Sequence, residues 1–217
     1  MTLAIFDLDN TLIAGDSDHL WGCYICEQGI VKHERYHQQN EQFYRDYQQG
    51  KLDVDAYLRF ALAPLANQNA DTLQRWHQGF MNTKIKPIML PAAQTLVDSH
   101  RAKKHQLLII TATNEFITRP IATALGIDEL LACEGEQING RYTGNPKGIP
   151  SFAEGKVARL QQWCETRGEN MTDAWFYSDS HNDLPLLSQV DNPVAVDPDN
   201  TLRAHAKEAG WPIISLR

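Results

Sequence analysis

The sequence predicts a doubly wound α/β fold with a helical insertion near its start. Short apolar runs each end in polar residues, and helical stretches separate them, a pattern typical of a parallel sheet with helices on both faces. Residues 15–87 interrupt this rhythm and contain no convincing strand. With 217 residues and a 42% hydrophobic fraction, the chain can bury a substantial core without disulfides.

Five apolar runs have the composition of buried parallel strands. The first, residues 2–8 (TLAIFDL), ends in acidic residues followed by Asn10 and Thr11. Because sites of such folds gather at the carboxyl ends of the strands, the residues after each run are candidates for function. The later strands are predicted at residues 107–112, 174–178, 194–196 and 213–215.

The insertion at residues 15–87 is rich in Gln, Glu, Arg, Tyr and Trp, with apolar residues at helical spacing. We expect three to five helices there. Its aromatic stripe is interpreted as helix core rather than as a platform for a ligand. The stripe includes Tyr36, Phe43, Tyr44, Tyr47 and Tyr57.

A second local feature is the segment 133–144 (CEGEQINGRYTG). Asn139 and Gly140 stand between two short polar runs, which is the signal of a two-residue β-hairpin turn. A helix is expected to follow at about residues 153–166.

Charge and hydropathy exclude several classes of function. The net charge is −7, and no block rich in Lys or Arg is present, which argues against nucleic-acid binding. Uncharged apolar runs such as Leu107–Ile110 are too short to span a bilayer, and the N-terminus lacks the basic flank of a targeting signal. We therefore expect a cytoplasmic protein that binds neither membrane nor nucleic acid, and whose anionic ligands must be attracted locally.

The chain has four cysteines, and Cys23 and Cys26 form a lone CxxC. The alternatives are a redox pair, half of a zinc site, or two small apolar residues on a helix. Because no second CxxC or His pair completes a tetrahedral site, we interpret them as packing residues.

Acidic residues follow two of the predicted strands. Asp7 and Asp9 end the first run, and Asp179 and Asp183 follow the strand at 174–178. Four carboxylates at one sheet edge would repel one another unless a hard divalent cation lies among them. Thr111 and Lys156 add a hydroxyl and an ammonium, so the set has the parts of a catalytic site. The alternative to a catalytic site is that these acidic residues lie in solvated loops.

Four segments together resemble the motifs of haloacid dehalogenase superfamily phosphatases, in the phosphoserine-phosphatase-like branch. They are DLDNT at 7–11, ITATN around Thr111, EGKVARL around Lys156 and SDSHND at 178–183. The resemblance covers nearly the whole chain. It implies a Rossmann-like core of residues 1–14 and 88–217, closed by a helical cap of the C1 type at 15–87.

The resemblance also implies a role for each matching residue. Asp7 would be the nucleophile and Asp9 the general acid and base. The Mg²⁺ ligands would be Asp7, the Asp9 carbonyl and Asp179, and Asp183 would orient a metal-bound water. The transferred phosphoryl group would be bound by Thr111 and Lys156, and Asn182 would help to hold either the substrate phosphate or the loop. Lys147, which lies in a loop outside the family pattern, is the alternative to Lys156.

The sequence differs from the phosphoserine phosphatases at one position of the site. Nine residues after the nucleophile, where these enzymes carry a Glu that meets the substrate ammonium, this chain has Asp16. Asp18, His19 and His181 are further candidates for substrate binding. The alternative for Asp18 and His19 is a helix N-cap or a solvated turn, and for His181 a tuning of the neighbouring acids.

The segments DSDHLWG and YSDSHNDLPLL resemble a bacterial group that includes histidinol-phosphate phosphatases. The expected activity is therefore Mg²⁺-dependent hydrolysis of a small phosphorylated metabolite through an aspartyl phosphate, with L-histidinol phosphate first and phosphoserine second. A halide-displacing enzyme is disfavoured because it would lack the second carboxylate, Asp9. A non-catalytic binding protein of this fold is the alternative from another class. The sequence predicts no oligomeric state.

Overall fold

The structure is a computed structural model and describes residues 2–217. Its centre is a seven-stranded sheet in the order β4-β3-β2-β1-β5-β6-β7, and every neighbouring pair is parallel except β3 and β4. The strands are β1 (Leu3–Phe6), β2 (Gln106–Asn114), β3 (Glu129–Ile138), β4 (Arg141–Lys147), β5 (Trp175–Ser178), β6 (Asn192–Val196) and β7 (Ile213–Ile214).

Nine α-helices surround or extend this sheet in the part of the chain that the structure describes. Short 3₁₀ or π segments occur at Ala63–Leu65, Met81–Ile85, Lys86–Ile88 and His181–Asp183. The α-helices are α1 (Ser17–Glu27), α2 (His33–Gln48), α3 (Val54–Leu62), α4 (Ala70–Phe80), α5 (Pro91–Ala102), α6 (Glu115–Ala124), α7 (Glu154–Arg167), α8 (Leu184–Leu187) and α9 (Asn200–Ala209).

Strand β1 is the middle strand of the sheet, and all four of its side chains are buried. Alternate residues face opposite sides. Phe6 joins a cluster with α5 and α6, and Ile5 joins a second cluster with α7, α8 and α9. Helices thus cover both faces, which confirms the predicted α/β fold.

The cluster on the Phe6 face continues into the inserted helices, where Trp21, Leu58 and Phe80 are fully buried. Four α-helices, α1–α4, lie between residues 15 and 87, and no described residue in this stretch belongs to a strand. The count agrees with the prediction. The division of the chain into a cap and a core at these boundaries stays a prediction.

The two chain segments that connect the inserted helices to the sheet run side by side. Ile13 and Met89 form an antiparallel bridge, and the Ala14 amide donates to the Ile88 carbonyl at 2.8 Å. The helices therefore leave and rejoin the rest of the chain at one place.

The hairpin prediction is confirmed, but strand β3 is longer than expected. Asn139 and Gly140 both have positive φ (51° and 74°), as a two-residue turn of this kind requires. The first half of β3 pairs in parallel with β2, and only its second half pairs with β4. No helix of the described residues is both long enough and apolar enough to cross a membrane.

Candidate active site

The carboxyl ends of β1, β2 and β5 bring the predicted catalytic residues to one edge of the sheet. Asp7 follows the last residue of β1, Thr111 lies in β2, and Asp179 follows β5. Lys156 reaches the same place from the first turn of α7, and its side chain is almost fully buried. Lys147, the alternative to Lys156, is exposed at the end of β4.

Lys156 joins two buried carboxylates. Its Nζ donates to Asp7 Oδ1 and to Asp183 Oδ2, each at 2.8 Å. Burial alone would lower the pKa of Lys156, but the Asp183 and Asp7 carboxylates raise it above its ordinary value, so the ammonium stays charged. Burial raises the pKa of Asp7 to about 7, against the lowering effect of Lys156. The single positive charge of Lys156 therefore does not balance the negative charge of the carboxylates around it.

Asp9 is held by donors from three places. The Ser17 amide donates to Oδ1 at 2.6 Å, and the hydroxyls of Thr113 and Thr111 lie 2.8 and 3.4 Å from Oδ2. Burial, helped by the nearby Asp16, raises the pKa of Asp9 to about 6. A carboxyl group with such a pKa can both give and take a proton near neutral pH.

Asp179 completes an oxygen-rich group beside Asp7. The Thr11 hydroxyl lies 3.1 Å from Asp179 Oδ1 and 3.5 Å from Asp7 Oδ2. Burial and the carboxylates of Asp7 and Asp183 raise the pKa of Asp179 well above its ordinary value. Closely spaced carboxylates with raised pKa values are the donor set that suits a hard divalent cation such as Mg²⁺, so the residues present fit this ion.

A second acidic pair, Asp16 and Asp18, lines the same cavity as Asp7 and Asp9 but belongs to the inserted helices. Asp16 caps the N-terminus of α1, where Oδ1 accepts from the His19 amide at 2.8 Å. Asp18, in the first turn, is 7% exposed, and its Oδ1 has no hydrogen-bond partner. Burial raises the pKa of both carboxyls to about 7, and the proximity of Asp18 contributes for Asp16. Asp16 therefore caps α1 and also lines the cavity.

The rest of the cavity wall is aromatic. The interpretation of the aromatic stripe as helix core is wrong in part: Phe43 packs against Phe60 inside the helical layer but also lines the cavity. The same helix face therefore contributes to both the core and the cavity wall. No Lys or Arg is among the described residues that line the cavity. The aromatic lining residues are Phe43, Tyr44, Tyr47 and Tyr57.

His19 lies in the cavity wall and stacks on Tyr44, with ring centroids 4.5 Å apart. Asn40 Nδ2 lies 3.2 Å from His19 Nδ1 and 3.0 Å from the His19 carbonyl. Asn40 can approach α1 this closely because the facing residue, Gly22, has no side chain. A Cβ at that position would lie only 2.3 Å from Asn40 Oδ1. Burial lowers the pKa of His19, so the ring is neutral near pH 7.

Asn182 and His181 do not line this cavity. Asn182 Nδ2 donates to the Tyr47 carbonyl at 3.1 Å, which ties the loop after β5 to the end of α2. His181 is anchored to Asp199, whose Oδ2 lies 2.8 Å from its Nδ1. The predicted contacts of Asn182 with phosphate and of His181 with substrate stay predictions.

Three residues at this site were not found from the sequence. Thr113 had a signal: it lies two residues after Thr111 in the same strand and so faces the same side. The sequence contained no signal for the Ser17 amide or for Asn40, because their contacts depend on how α1 packs against β1 and α2.

Comparison with known proteins identifies relatives along the whole chain. Residues 4–188 match the family model of the haloacid dehalogenase-like hydrolases. The chain is 48% identical over 219 residues to the histidinol-phosphatase of Neisseria meningitidis serogroup C, covering 99% of both proteins.

Two solved structures show the same fold. The crystal structure of a protein of unknown function from Bordetella pertussis Tohama I is 38% identical and superposes with a TM-score of 0.94 over 100% of both chains. A phosphoserine phosphatase with a phospho-aspartyl intermediate analogue has a TM-score of 0.71 at 16% identity, covering 100% of this chain and 93% of that one. At that identity the likeness concerns the fold alone. The chain therefore belongs to the haloacid dehalogenase-like hydrolases and is a phosphatase of that family.

Proposed function

We propose that the protein is a Mg²⁺-dependent phosphomonoesterase that hydrolyses L-histidinol phosphate through an aspartyl phosphate on Asp7. The observation that carries the choice of substrate is the acidic pair in the cavity wall. Asp18 is buried there and Asp16 is half-buried, and none of the described residues that line the cavity is a Lys or Arg. Such a wall favours a substrate that brings positive charge and hydrogen-bond donors.

L-Histidinol phosphate meets this requirement. It carries an amine and an imidazole, both of which donate hydrogen bonds, and no carboxylate. Phosphoserine carries a carboxylate that would lie in this cavity without a cationic partner. The relative named histidinol-phosphatase, 48% identical over the whole chain, supports the same choice.

In the first step, the Asp7 carboxylate attacks phosphorus, and the bond to the ester oxygen breaks. Lys156 holds Asp7 Oδ1 and supplies positive charge for the phosphoryl oxygens. Thr111, in the neighbouring strand β2, has a hydroxyl that can also bind them. Asp9 gives its proton to the leaving alkoxide. The hydrogen bonds from Ser17 and Thr113 fix the carboxyl group for this transfer.

In the second step, water attacks the phosphorus of the aspartyl phosphate. Asp9, now ionised, takes the proton of this water, and the Asp7 carboxylate is released together with inorganic phosphate. The pKa of Asp9, about 6, suits both directions of proton transfer near pH 7.

The Mg²⁺ would be held by Asp7, Asp179 and the Asp9 carbonyl, with Asp183 beside them. When bound, it supplies positive charge that offsets both the carboxylates and the phosphate. Excess EDTA should abolish turnover, and added Mg²⁺ should restore it. Full activity in EDTA would contradict the proposal.

The substrate is tested by kcat/KM on L-histidinol phosphate, L-phosphoserine and p-nitrophenyl phosphate. We expect the first to exceed the second by at least about 100-fold, because an unpaired buried carboxylate costs several kcal/mol. Comparable values for both amino-bearing substrates would overturn the choice of substrate but not the phosphatase mechanism. No turnover of any of the three would favour the alternative, a non-catalytic binding protein. The cytoplasmic location and the absence of nucleic-acid and membrane partners stay predictions.

A further inference from the structure

A cluster of potential metal ligands lies on α1 and α2, outside the phosphate site. His19 and Cys23 are one turn apart on α1, and His37 and Glu41 are one turn apart on α2. An i, i+4 pair places two side chains on one helix face, a spacing that chelates metal ions. Here two such pairs belong to neighbouring helices.

Three of these side chains already lie at distances that suit one ion. His19 Nε2 is 3.7 Å from Cys23 Sγ and 3.3 Å from Glu41 Oε1. Ligand atoms of His19, Cys23 and Glu41 all lie within 4.8 Å of one another. A tetrahedral ion with bonds of about 2.0–2.3 Å separates its ligand atoms by about 3.3–3.7 Å, so only small side-chain movements are needed.

We propose that His19, Cys23 and Glu41 form a binding site for a thiophilic divalent ion such as Zn²⁺, with the fourth position left for His37 or water. A thiolate and an imidazole select Zn²⁺, whereas the oxygen-only group of Asp7 and Asp179 selects Mg²⁺. The two sites therefore discriminate by ligand chemistry.

Cys26 does not belong to this cluster. Its Sγ lies 4.0 Å from the His33 carbonyl, and the side chain is buried. The lone CxxC is thus not the site; the remaining ligands come from His19, one turn back, and from the facing helix. This is why spacing along the sequence did not indicate a metal.

Ion binding at this site would act on the cavity wall through His19. With the metal on Nε2, the ring proton belongs on Nδ1, which now faces the Asn40 amide nitrogen at 3.2 Å. The Asn40 amide must turn to present its oxygen, at the expense of its bond to the His19 carbonyl. Both residues line the cavity, so the loaded and unloaded proteins present different donors to a substrate.

The test is a titration of the metal-free full-length chain with Co²⁺ in the presence of excess Mg²⁺, followed by absorption spectroscopy. A thiolate-to-cobalt charge-transfer band should appear in the wild type and in the matched control Cys26→Ser, and Zn²⁺ should abolish it. The band should be lost in Cys23→Ser. Glu41→Gln should weaken Co²⁺ binding at least tenfold, since even groups that only support metal ligands are worth about 10–100-fold.

Circular dichroism and Tm of each variant verify the fold, and neither readout depends on phosphatase activity. The proposal is overturned if the wild type shows no charge-transfer band, if the band persists in Cys23→Ser, or if Cys26→Ser removes it.

Discussion

The two walls of the active cavity both bury carboxylates with raised pKa values, but they balance them differently. On the sheet side, Asp7 and Asp183 share Lys156, and Asp9 accepts three hydrogen bonds. On the helical side, Asp18 leaves Oδ1 without a partner, and the described residues that line this wall include no Lys or Arg.

The difference separates two tasks. The sheet edge carries its own cation and donors, so its geometry is set before any substrate arrives. The helical wall holds carboxyl groups that have no cation of their own, and this makes it selective for cationic substrates. Substitutions on the sheet side should therefore affect every substrate, and those on the helical side only substrates with an amine or an imidazole.

The largest effect is expected for Asp7→Asn. The variant keeps the shape of the side chain but replaces the nucleophilic carboxylate with a neutral amide, so turnover of every substrate should vanish. Acid-quenched mass spectrometry should find no phosphate on the peptide that contains residue 7. Phosphate trapped on another residue would mean that the nucleophile is misassigned.

Asp9→Asn should separate the two chemical steps. General acid–base catalysis is worth about 10²–10⁴ in rate, and an alkyl phosphate should suffer this whole loss in its first step. p-Nitrophenolate leaves without a proton, so rapid mixing should show a burst of up to one equivalent per site, followed by slow turnover. A steady state like that of the wild type would contradict the role of Asp9.

Asp16→Asn should be selective for the substrate. The variant still caps α1, because Asn is an equally good N-cap residue, but it loses the charge that meets an ammonium. A charge-assisted hydrogen bond is worth about 1.5–3 kcal/mol, so kcat/KM for L-histidinol phosphate should fall about 10- to 150-fold. The value for p-nitrophenyl phosphate should hardly change.

Asp53→Asn is the matched control for that experiment, since Asp53 caps the N-terminus of α3 in the same way but is exposed and is not among the residues that line the cavity. Equal losses on both substrates in Asp16→Asn, or the same loss in Asp53→Asn, would refute the contact with the ammonium.

Asp18→Asn tests the burial of the Asp18 carboxyl group through the thermal stability of the protein. Its effect is expected to be the smallest of these predictions. Burial raises the pKa of Asp18 from its ordinary 3.8 to about 7, so the folded state holds a proton that the unfolded state has lost between these pH values. The free energy of unfolding of the ligand-free protein therefore falls as pH rises through this window. The variant should flatten this fall and raise Tm at pH 8, by about 2–4 °C per kcal/mol regained. An unchanged pH dependence of Tm would contradict the burial of this charge.

The sheet edge could be predicted from the sequence because strand periodicity and motif spacing place its residues. The run ending at Asp7, the Asn139–Gly140 turn and the helix at Lys156 each depend on a few consecutive residues. The parallel half of β3 was missed because it continues without a break into the hairpin, so no turn residue marks its boundary.

The helical wall could be predicted only as helices. The contacts of Asn40 with His19, of Glu41 with His19 and of Asn182 with Tyr47 join residues that are far apart in the sequence. They depend on the packing of α1 against α2 and of α2 against the loop after β5, which periodicity does not encode. Periodicity likewise cannot tell a helix face that is buried from one that also lines a cavity.

The side-by-side connections at Ile13 and Met89 have a consequence for how such a protein diversifies. The ends of the inserted segment already meet, so a change in its length alters the free energy of folding mainly through the entropy of closing the loop. This cost grows by only about 0.6 kcal/mol for each doubling of the loop. Helices can thus be added, removed or exchanged there without shifting the register of β1 or the start of α5. New specificities can be acquired on the same hydrolytic machinery at little thermodynamic cost.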